Sequence, residues 1–191
     1  MFAETIETDR LLLRRLRASD AQAGFERYAS DPEATRFLRW RTHQSAVETE
    51  EFYRQAERDW DAGVTHVWAV CLREEGMPEK LKPWGAISLL PVLAQAELGY
   101  VISRRQWGRG VATEAARAVI AEAWRHPTIW RVSATCNVRN AGSARVLEKC
   151  GMRLEGTLRS RYMQPQAGPR PQDVLQWAIV RDDLPADAST G

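Results

Sequence analysis

A short apolar segment, Leu98 to Ile102, runs into the turn Arg105-Gln106-Trp107-Gly108-Arg109-Gly110, and Val111 to Trp124 follows with helical periodicity. No other stretch constrains the fold as tightly, because a strand must hand over to a helix within a few glycine-punctuated residues. Glycines in such a turn let successive backbone N–H groups converge without Cβ obstruction, and the helix N-terminus adds partial positive charge. A diphosphate is the natural guest. The spacing excludes two common diphosphate loops. No Gly-Lys-Ser/Thr follows the glycines, as a Walker loop needs. A dinucleotide fingerprint would need glycine where Thr113 stands and an acidic residue closing the next strand, which instead ends Thr135-Cys136-Asn137.

The 191 residues are 44% hydrophobic without a break in composition, which predicts one domain over 1–184 and a tail over 185–191. Lysine and arginine total 27 against 25 acidic residues, a net charge of +2 with the signs interspersed, so charge gives no case for a nucleic-acid partner. No apolar run approaches a membrane span, and Glu4, Glu7 and Asp9 stand where a leader would be basic. Cys71, Cys136 and Cys150 lack Cys-x-x-Cys spacing, and His43, His66 and His126 are scattered. The expectation is a cytoplasmic protein in a reducing compartment, with no metal and no membrane.

Strands are predicted at Leu11–Leu16, His66–Leu72, Trp84–Leu90, Leu98–Ile102, Arg131–Val138, Arg153–Arg159 and Val174–Val180. Helices are expected from Ser19 or Asp20 to about Ala29, from a Ser45/Glu48 capping box to Gly63, from Val111 to Trp124, and from the Asn140 cap to Cys150. Asp31-Pro32 should stop the first helix. Phe52, Ala56 and Trp60 should share the buried face of the second, and Gly76-Met77-Pro78 should turn a hairpin. The order β-α-α-β-β-β-α-β-α-β-β describes an α/β chain with a central mixed sheet covered by helices on both faces.

Five segments carry a resemblance: Arg10-Leu-Leu-Leu-Arg-Arg, Leu98-Gly-Tyr-Val-Ile102, Trp107-Gly-Arg-Gly-Val-Ala-Thr-Glu-Ala115, Asn137-x-x-Asn140-x-x-Ser143 and Glu148-Lys-Cys-Gly-Met-Arg-Leu-Glu-Gly156. Together they resemble the GCN5-related N-acetyltransferases (GNAT), in the RimJ/RimL-like branch, over roughly Thr8 to Asp183. The resemblance implies a mostly antiparallel twisted sheet whose strands splay at an acetyl-CoA cleft. It implies that amides from Gln106 through Trp107, Gly108, Arg109, Gly110 and Val111 to Ala112 hold the pyrophosphate. It also implies that Tyr100, Val101 and Ile102 pair with the pantetheine arm, in the manner of an added strand. The activity implied is acetyl transfer to a small-molecule or protein N-terminal amine by direct attack in a ternary complex, in an enzyme that often dimerises. A tight turn without a ligand is the plain alternative for the glycines, and solvated charge the alternative for Arg105 and Arg109.

Direct transfer needs a base for the amine proton, an oxyanion donor and an acid for the thiolate. Glu97 and Glu155 are the candidate bases; either is equally a cross-strand partner for an arginine such as Arg153 or Arg159. The oxyanion donor implied is an N–H near Val101, freed by a strand irregularity at Gly99. No tyrosine lies between Tyr100 and Tyr162, which leaves Ser143 or water as the acid. Ser143 is equally a first-turn capping residue, and Asn140 reads as N-cap and pantetheine contact. Cys136 reads as a buried thiol rather than a nucleophile. Trp40 and Tyr162 are candidate acceptor-site residues, and Arg36, Arg39 and Arg41 form a basic cluster suited to an acidic acceptor or simply to solvent. An acyl-CoA-binding module without turnover is the reading from a different functional class.

Overall fold

In Leu11–Arg15 (β2) Leu11 and Leu13 are fully buried while Leu12, Arg14 and Arg15 are only partly so, the two-residue period of a strand with one face on a core. In the computed structural model, which describes residues 2–73 and 82–183, β2 pairs with Thr5–Glu7 (β1) on one side and His66–Leu72 (β3) on the other. The ladder continues through Gly85–Val92 (β4), Gln95–Ile102 (β5) and Arg131–Asn137 (β6). It closes with Arg153–Tyr162 (β7) and Gln172–Val180 (β8), in the spatial order β1-β2-β3-β4-β5-β6-β8-β7. Every neighbouring pair is antiparallel except β5 and β6. The turn at Gly76-Met77-Pro78 and the tail at 185–191 lie outside the described residues.

Helices cover both faces, as expected. Ala21–Gly24 (α1), Pro32–Thr35 (α2) and Ala46–Asp61 (α3) lie over one, where Tyr28, Tyr53, Ala56, Ala69 and Val101 form a core. Val111–Trp124 (α4) and Ala141–Lys149 (α5) lie over the other, packing Ala115, Val119 and Leu147 on Leu13, Val70 and Leu98. Because β3 is buried on both faces, Trp68 and Val70 enter one core and Ala69 and Cys71 the other, which explains its continuous apolar run.

Four details differ from expectation. β1 was not anticipated, since three residues with none buried carry no alternation. Asp31-Pro32 starts a helix as well as ending one: the Asp31 carboxylate accepts from the N–H groups of Glu33 and Ala34. In the α3 cap Ser45 Oγ accepts from Glu48 N, but Glu48 answers to Gln44 N rather than to Ser45, shifting the box by one residue. The buried stripe of α3 is Thr49, Tyr53, Ala56 and Trp60, while Phe52 is 43% exposed. Tyr53 takes the inward place because its hydroxyl meets that of Tyr28 in the core, so the buried phenol finds a partner.

His66 stands inside the sheet's larger core, 4.6 Å from the Phe2 ring and 4.8 Å from that of Trp60, and its Nδ1 has no hydrogen-bond partner. Burial, then nearby positive charge, lowers its pKa from 6.5 to about 4. The unfolded chain therefore binds a proton that the folded chain refuses between these values. Stability is full above pH 6.5 and falls as pH drops toward 4, by at most about 3 kcal/mol. His66→Phe should flatten that limb in denaturant titrations run from pH 7 to 4.5; an unchanged slope would show the imidazole to be titrating freely.

Candidate active site

The loop after β5 is closed by Gln106 N bonding Ser103 O at 2.9 Å. Gly108 and Gly110 then take φ +74° and +81°, the left-handed region that only glycine enters cheaply. At Gly108 a Cβ would meet nothing within 4 Å, so backbone geometry and not space demands glycine there. Gly110 caps α4, and its own carbonyl takes the first helical bond, from Glu114 N. Beneath the loop, Arg10 donates to the Arg109 carbonyl at 3.0 Å and to the Glu114 carboxylate at 2.7 Å, and Thr8 Oγ1 donates to Glu114 at 2.6 Å. Burial alone would raise the Glu114 pKa; the bonds from Thr8 and Arg10 outweigh it and hold the carboxyl below its ordinary value.

Beside the loop the sheet parts. β5 and β6 pair from Gln95/Arg131 to Leu98/Ala134 and no further, although β5 runs on to Ile102 and β6 to Asn137. The β4–β5 register is unbroken from Gly85/Ile102 to Val92/Gln95, so the irregularity expected at Gly99 is absent. Ser103 N bonds Trp84 O on the β4 side. Alternation then turns the Val101 amide toward β4 as well and those of Tyr100 and Ile102 into the gap. The free donors near Val101 are its two neighbours. Ile102 O accepts from Trp107 Nε1 at 2.8 Å, which ties the loop to the strand end.

The parted strands bound a cleft of about 630 Å³. Tyr100, Val101, Ile102, Gln106, Trp107, Gly108, Gly110, Val111 and Ala112 all line it, as do Asn140 and Ser143. Arg109 does not line it; its carbonyl accepts from Arg10. At the α5 N-terminus Asn140 Oδ1 accepts from Ser143 N at 3.1 Å. The Ser143 hydroxyl lies 2.8 Å from that of Tyr100. Burial raises the Tyr100 pKa against the opposing effect of the Ser143 bond, so the phenol stays protonated at any working pH. Sequence reasoning saw only the backbone of Tyr100. The signal for its side chain was available: Leu98, Tyr100 and Ile102 share one face of β5, the face that α5 covers. Burial also raises the thiol of Cys136, as its apolar alternation partners imply.

A strap, residues 31–40, crosses the mouth of the gap and lines it with Glu33, Ala34 and Arg36 to Leu38. Asp31 at its start binds Arg104 beside β5, while Gln164 and Gln166 from the β7–β8 connection donate to the carbonyls of Phe37 and Trp40. Gln164 Oε1 in turn accepts from Asn137 Nδ2 at the end of β6. Glu97 lies on the face of β5 turned toward this strap; Arg39 reaches it at 3.6 Å and stacks on the Tyr162 ring at 4.8 Å. Glu97 and Tyr162 are thus brought together through Arg39.

Trp40 and Glu155 are not part of this assembly. Trp40 folds back on His43 at 4.8 Å and Phe52 at 5.7 Å, partly buried against the edge of the core under α3. Glu155 binds Arg131 through both carboxylate oxygens, at the opposite end of β6 from the gap. Its partner was an arginine, as the alternative reading held, though neither of the two named. Among the described residues no group of three or more His, Cys, Asp or Glu is placed to hold a metal ion.

A model of the acetyltransferase (GNAT) domain matches residues 10–153. The chain belongs to the GNAT family. The uncharacterized N-acetyltransferase YnaD of Bacillus subtilis (strain 168) is 30% identical over 155 residues, spanning 79% of this chain and 84% of YnaD. YoaA of the same organism, likewise an uncharacterized N-acetyltransferase, is 28% identical over 176 residues, 92% and 96% of the two chains. Among solved structures, a GNAT-family acetyltransferase from Bacillus anthracis superimposes with TM-score 0.79 at 25% identity, covering 94% of this chain and 99% of the other. RimL, the ribosomal L7/L12 α-N-protein acetyltransferase, in complex with coenzyme A, gives 0.80 at 20% identity and the same coverages, a likeness of fold.

This GNAT chain is therefore an acetyl-CoA-dependent N-acetyltransferase, and its cleft has the features that such a substrate asks for. A diphosphate needs converging N–H groups, which the Gly108–Gly110 turn and the start of α4 present. A pantetheine arm carries two amides, which can bond the gap-facing groups of β5. In Gly108→Ala the added Cβ meets no protein atom but sits on a residue at φ +74°, a strain of about 1–2 kcal/mol that the free loop can shed by relaxing and that the cofactor must restore on binding. The substitution should raise KM for acetyl-CoA about tenfold and leave kcat little changed; steady-state kinetics with acetyl-CoA varied reads this directly, and an unaltered KM would remove the loop from the binding site.

Proposed function

We propose that the chain transfers the acetyl group to a primary amine by direct attack within a ternary complex. The observation that carries this reading is the hydroxyl pair of Tyr100 and Ser143, set at a helix N-terminus where the parted strands leave backbone amides free. The acceptor amine approaches from the strap side, where Glu97 takes its proton directly or through one water. The Tyr100 amide steadies the oxyanion as the tetrahedral centre forms, and the Ile102 amide pairs with the pantetheine. Collapse breaks the carbon–sulfur bond. Ser143, with Tyr100 donating to its oxygen, delivers a proton to the departing sulfur, and solvent restores it. Charge balances: one proton leaves the amine and one reaches the thiol.

Two residues placed in this scheme by sequence alone are withdrawn, Glu155 because it pairs with Arg131 at the far end of β6 and Trp40 because it turns away from the cleft onto His43 and Phe52. The working unit is one domain over 1–184, and its acceptor is a small-molecule or protein N-terminal amine. Three free cysteines, Cys71, Cys136 and Cys150, favour a reducing compartment and hence the cytoplasm.

Thiol release from acetyl-CoA with an amine panel tests the scheme. Ser143→Ala should lower kcat about a hundredfold and Tyr100→Phe about tenfold, with KM for acetyl-CoA held. The double variant should lose little beyond Ser143→Ala, since the two hydroxyls act as one unit. Glu97→Gln should lower kcat about tenfold, with KM for acetyl-CoA held. Full turnover in Ser143→Ala, Tyr100→Phe and Glu97→Gln would reject all three roles.

A further inference from the structure

The cleft has a charge asymmetry, and it extends beyond the glycine loop assigned to the diphosphate of acetyl-CoA. Among the described residues, its lining holds the cations Arg36, Arg139, Arg145 and Lys149 against the single carboxylate of Glu33. Arg145 and Lys149 lie along α5, beyond Ser143. Arg36 and Arg139 flank one side chain at the other end. The Arg36 guanidinium stands 5.3 Å from the Phe37 ring and that of Arg139 stands 5.9 Å from it. Phe37 is itself fixed, since its carbonyl accepts from Gln164, which is bonded to Asn137 at the end of β6.

Arg139 has no carboxylate partner among the described residues, and Arg36 has one at the edge of hydrogen-bond distance. Arg139 spends Nη2 on the Ala167 carbonyl and Gln172 Oε1, both uncharged, and no carboxylate of the described residues lies within ion-pair distance of it. Arg36 meets Glu33 only at 3.5 Å, in a contact where both side chains are about half exposed, a geometry that contributes little. Arg39 faces Glu97 at 3.6 Å, a similarly loose contact. A guanidinium laid along an aromatic ring keeps its N–H edge available, and that planar fork matches the oxygens of a carboxylate or phosphate. A cleft walled by one sign of charge also concentrates ligands of the other.

We propose that the acceptor is an amine bearing a carboxylate or phosphate group, with its anionic oxygens held between Arg36 and Arg139 beside Phe37 while the amine reaches the thioester. The proposal rests on the acetyl-transfer reading above and deepens it to a substrate class. It disfavours polyamines, whose second ammonium would meet the same two cations.

The experiment uses matched amines that differ in charge alone: O-phosphoethanolamine against ethanolamine, and tripeptide amides beginning with serine and continuing with two glutamates, glutamines or lysines, with spermidine as the cationic extreme. Thiol release gives kcat/KM for each. Calorimetric titration of the CoA-bound protein with the same amines gives affinities that do not depend on turnover. In at least one series the anionic member should exceed its neutral partner about tenfold, chiefly through KM. Which series shows it distinguishes phosphate from carboxylate. Arg36→Gln and Arg139→Gln should each bring that ratio down severalfold, and added salt should compress it. Ratios near one in both assays, or spermidine as the best acceptor, would overturn the proposal. So would variants that raise KM for acetyl-CoA while the ratio stands, since the two arginines would then serve the cofactor's phosphates. Tight, charge-ordered binding without any thiol release would uphold the anion site and sink the transfer reading instead.

Discussion

The parting of β5 from β6 beyond Leu98 and Ala134 is the constraint from which the rest of the site follows. Each strand stays paired on its outer edge, β5 with β4 as far as Ile102 and β6 with β8 as far as Asn137/Val174. Neither needs the other to remain ordered. The inner edges are therefore left with backbone groups that only water or a ligand can satisfy, and buried N–H and C=O groups do not stay unsatisfied. A closed pair would be more stable as a sheet and useless as a cleft. The strands are parallel, so both carboxyl ends lie at the same end of the sheet, and both following helices, α4 and α5, start there. Two helix N-termini and two unpaired strand edges meet in one place because of that topology.

The walls of the cleft hold their parts in different ways. On the β5 side the elements proposed to bind the cofactor are backbone: glycines in left-handed conformation, and the amides of Tyr100 and Ile102. Their geometry is fixed from beneath by Arg10, which spans Glu114 and the Arg109 carbonyl. On the β6 and strap side the elements are side chains, Ser143 on α5 and the arginines and Phe37 of the strap and the β6 end. Backbone recognition suits a substrate part that never varies, the diphosphate and pantetheine of coenzyme A. Side-chain recognition can be rewritten residue by residue without disturbing it, which is how one fold comes to serve many acceptors.

How far the sequence revealed this depends on the range of the interaction concerned. The glycine turn was legible because a φ requirement is written in the residue type itself: only glycine enters +74° and +81° at low cost. The bounds of β3 and α4 were legible from periodicity, and the Asn140 cap from its own chemistry. Partner choice was not. Glu155 looks the same on paper whether it faces an acceptor or Arg131, and the register that decides it comes from β8 lying between β6 and β7. Trp40 and Phe52 were misplaced for a related reason. The clamp by Gln164 and Gln166, more than a hundred residues away, folds the strap back so that Trp40 stacks on Phe52 under α3 and not in the cleft.

In the proposed scheme the strap also links the base, Glu97, to the acceptor site. Arg39 joins Glu97 to Tyr162, and it follows Arg36 and Phe37 after a single residue, on a segment anchored at both ends by Asp31 and the two glutamines. A segment held at both ends cannot swing freely, so an acceptor that engages its arginines is confined to a narrow approach. Confinement of that kind supplies catalysis by orientation, the larger part of what an enzyme can add when the attacking amine is already a competent nucleophile. An α-amine, with an ordinary pKa of about 7.7–8.0, needs only modest help from a base, and a Glu97 half occupied by Arg39 is suited to modest help. The same arrangement would serve a lysine amine near 10.4 poorly. On the proposed scheme the demand on the carboxylate and the electrostatics of the strap thus point to one acceptor, a weakly basic amine whose negative charge lies elsewhere on the molecule.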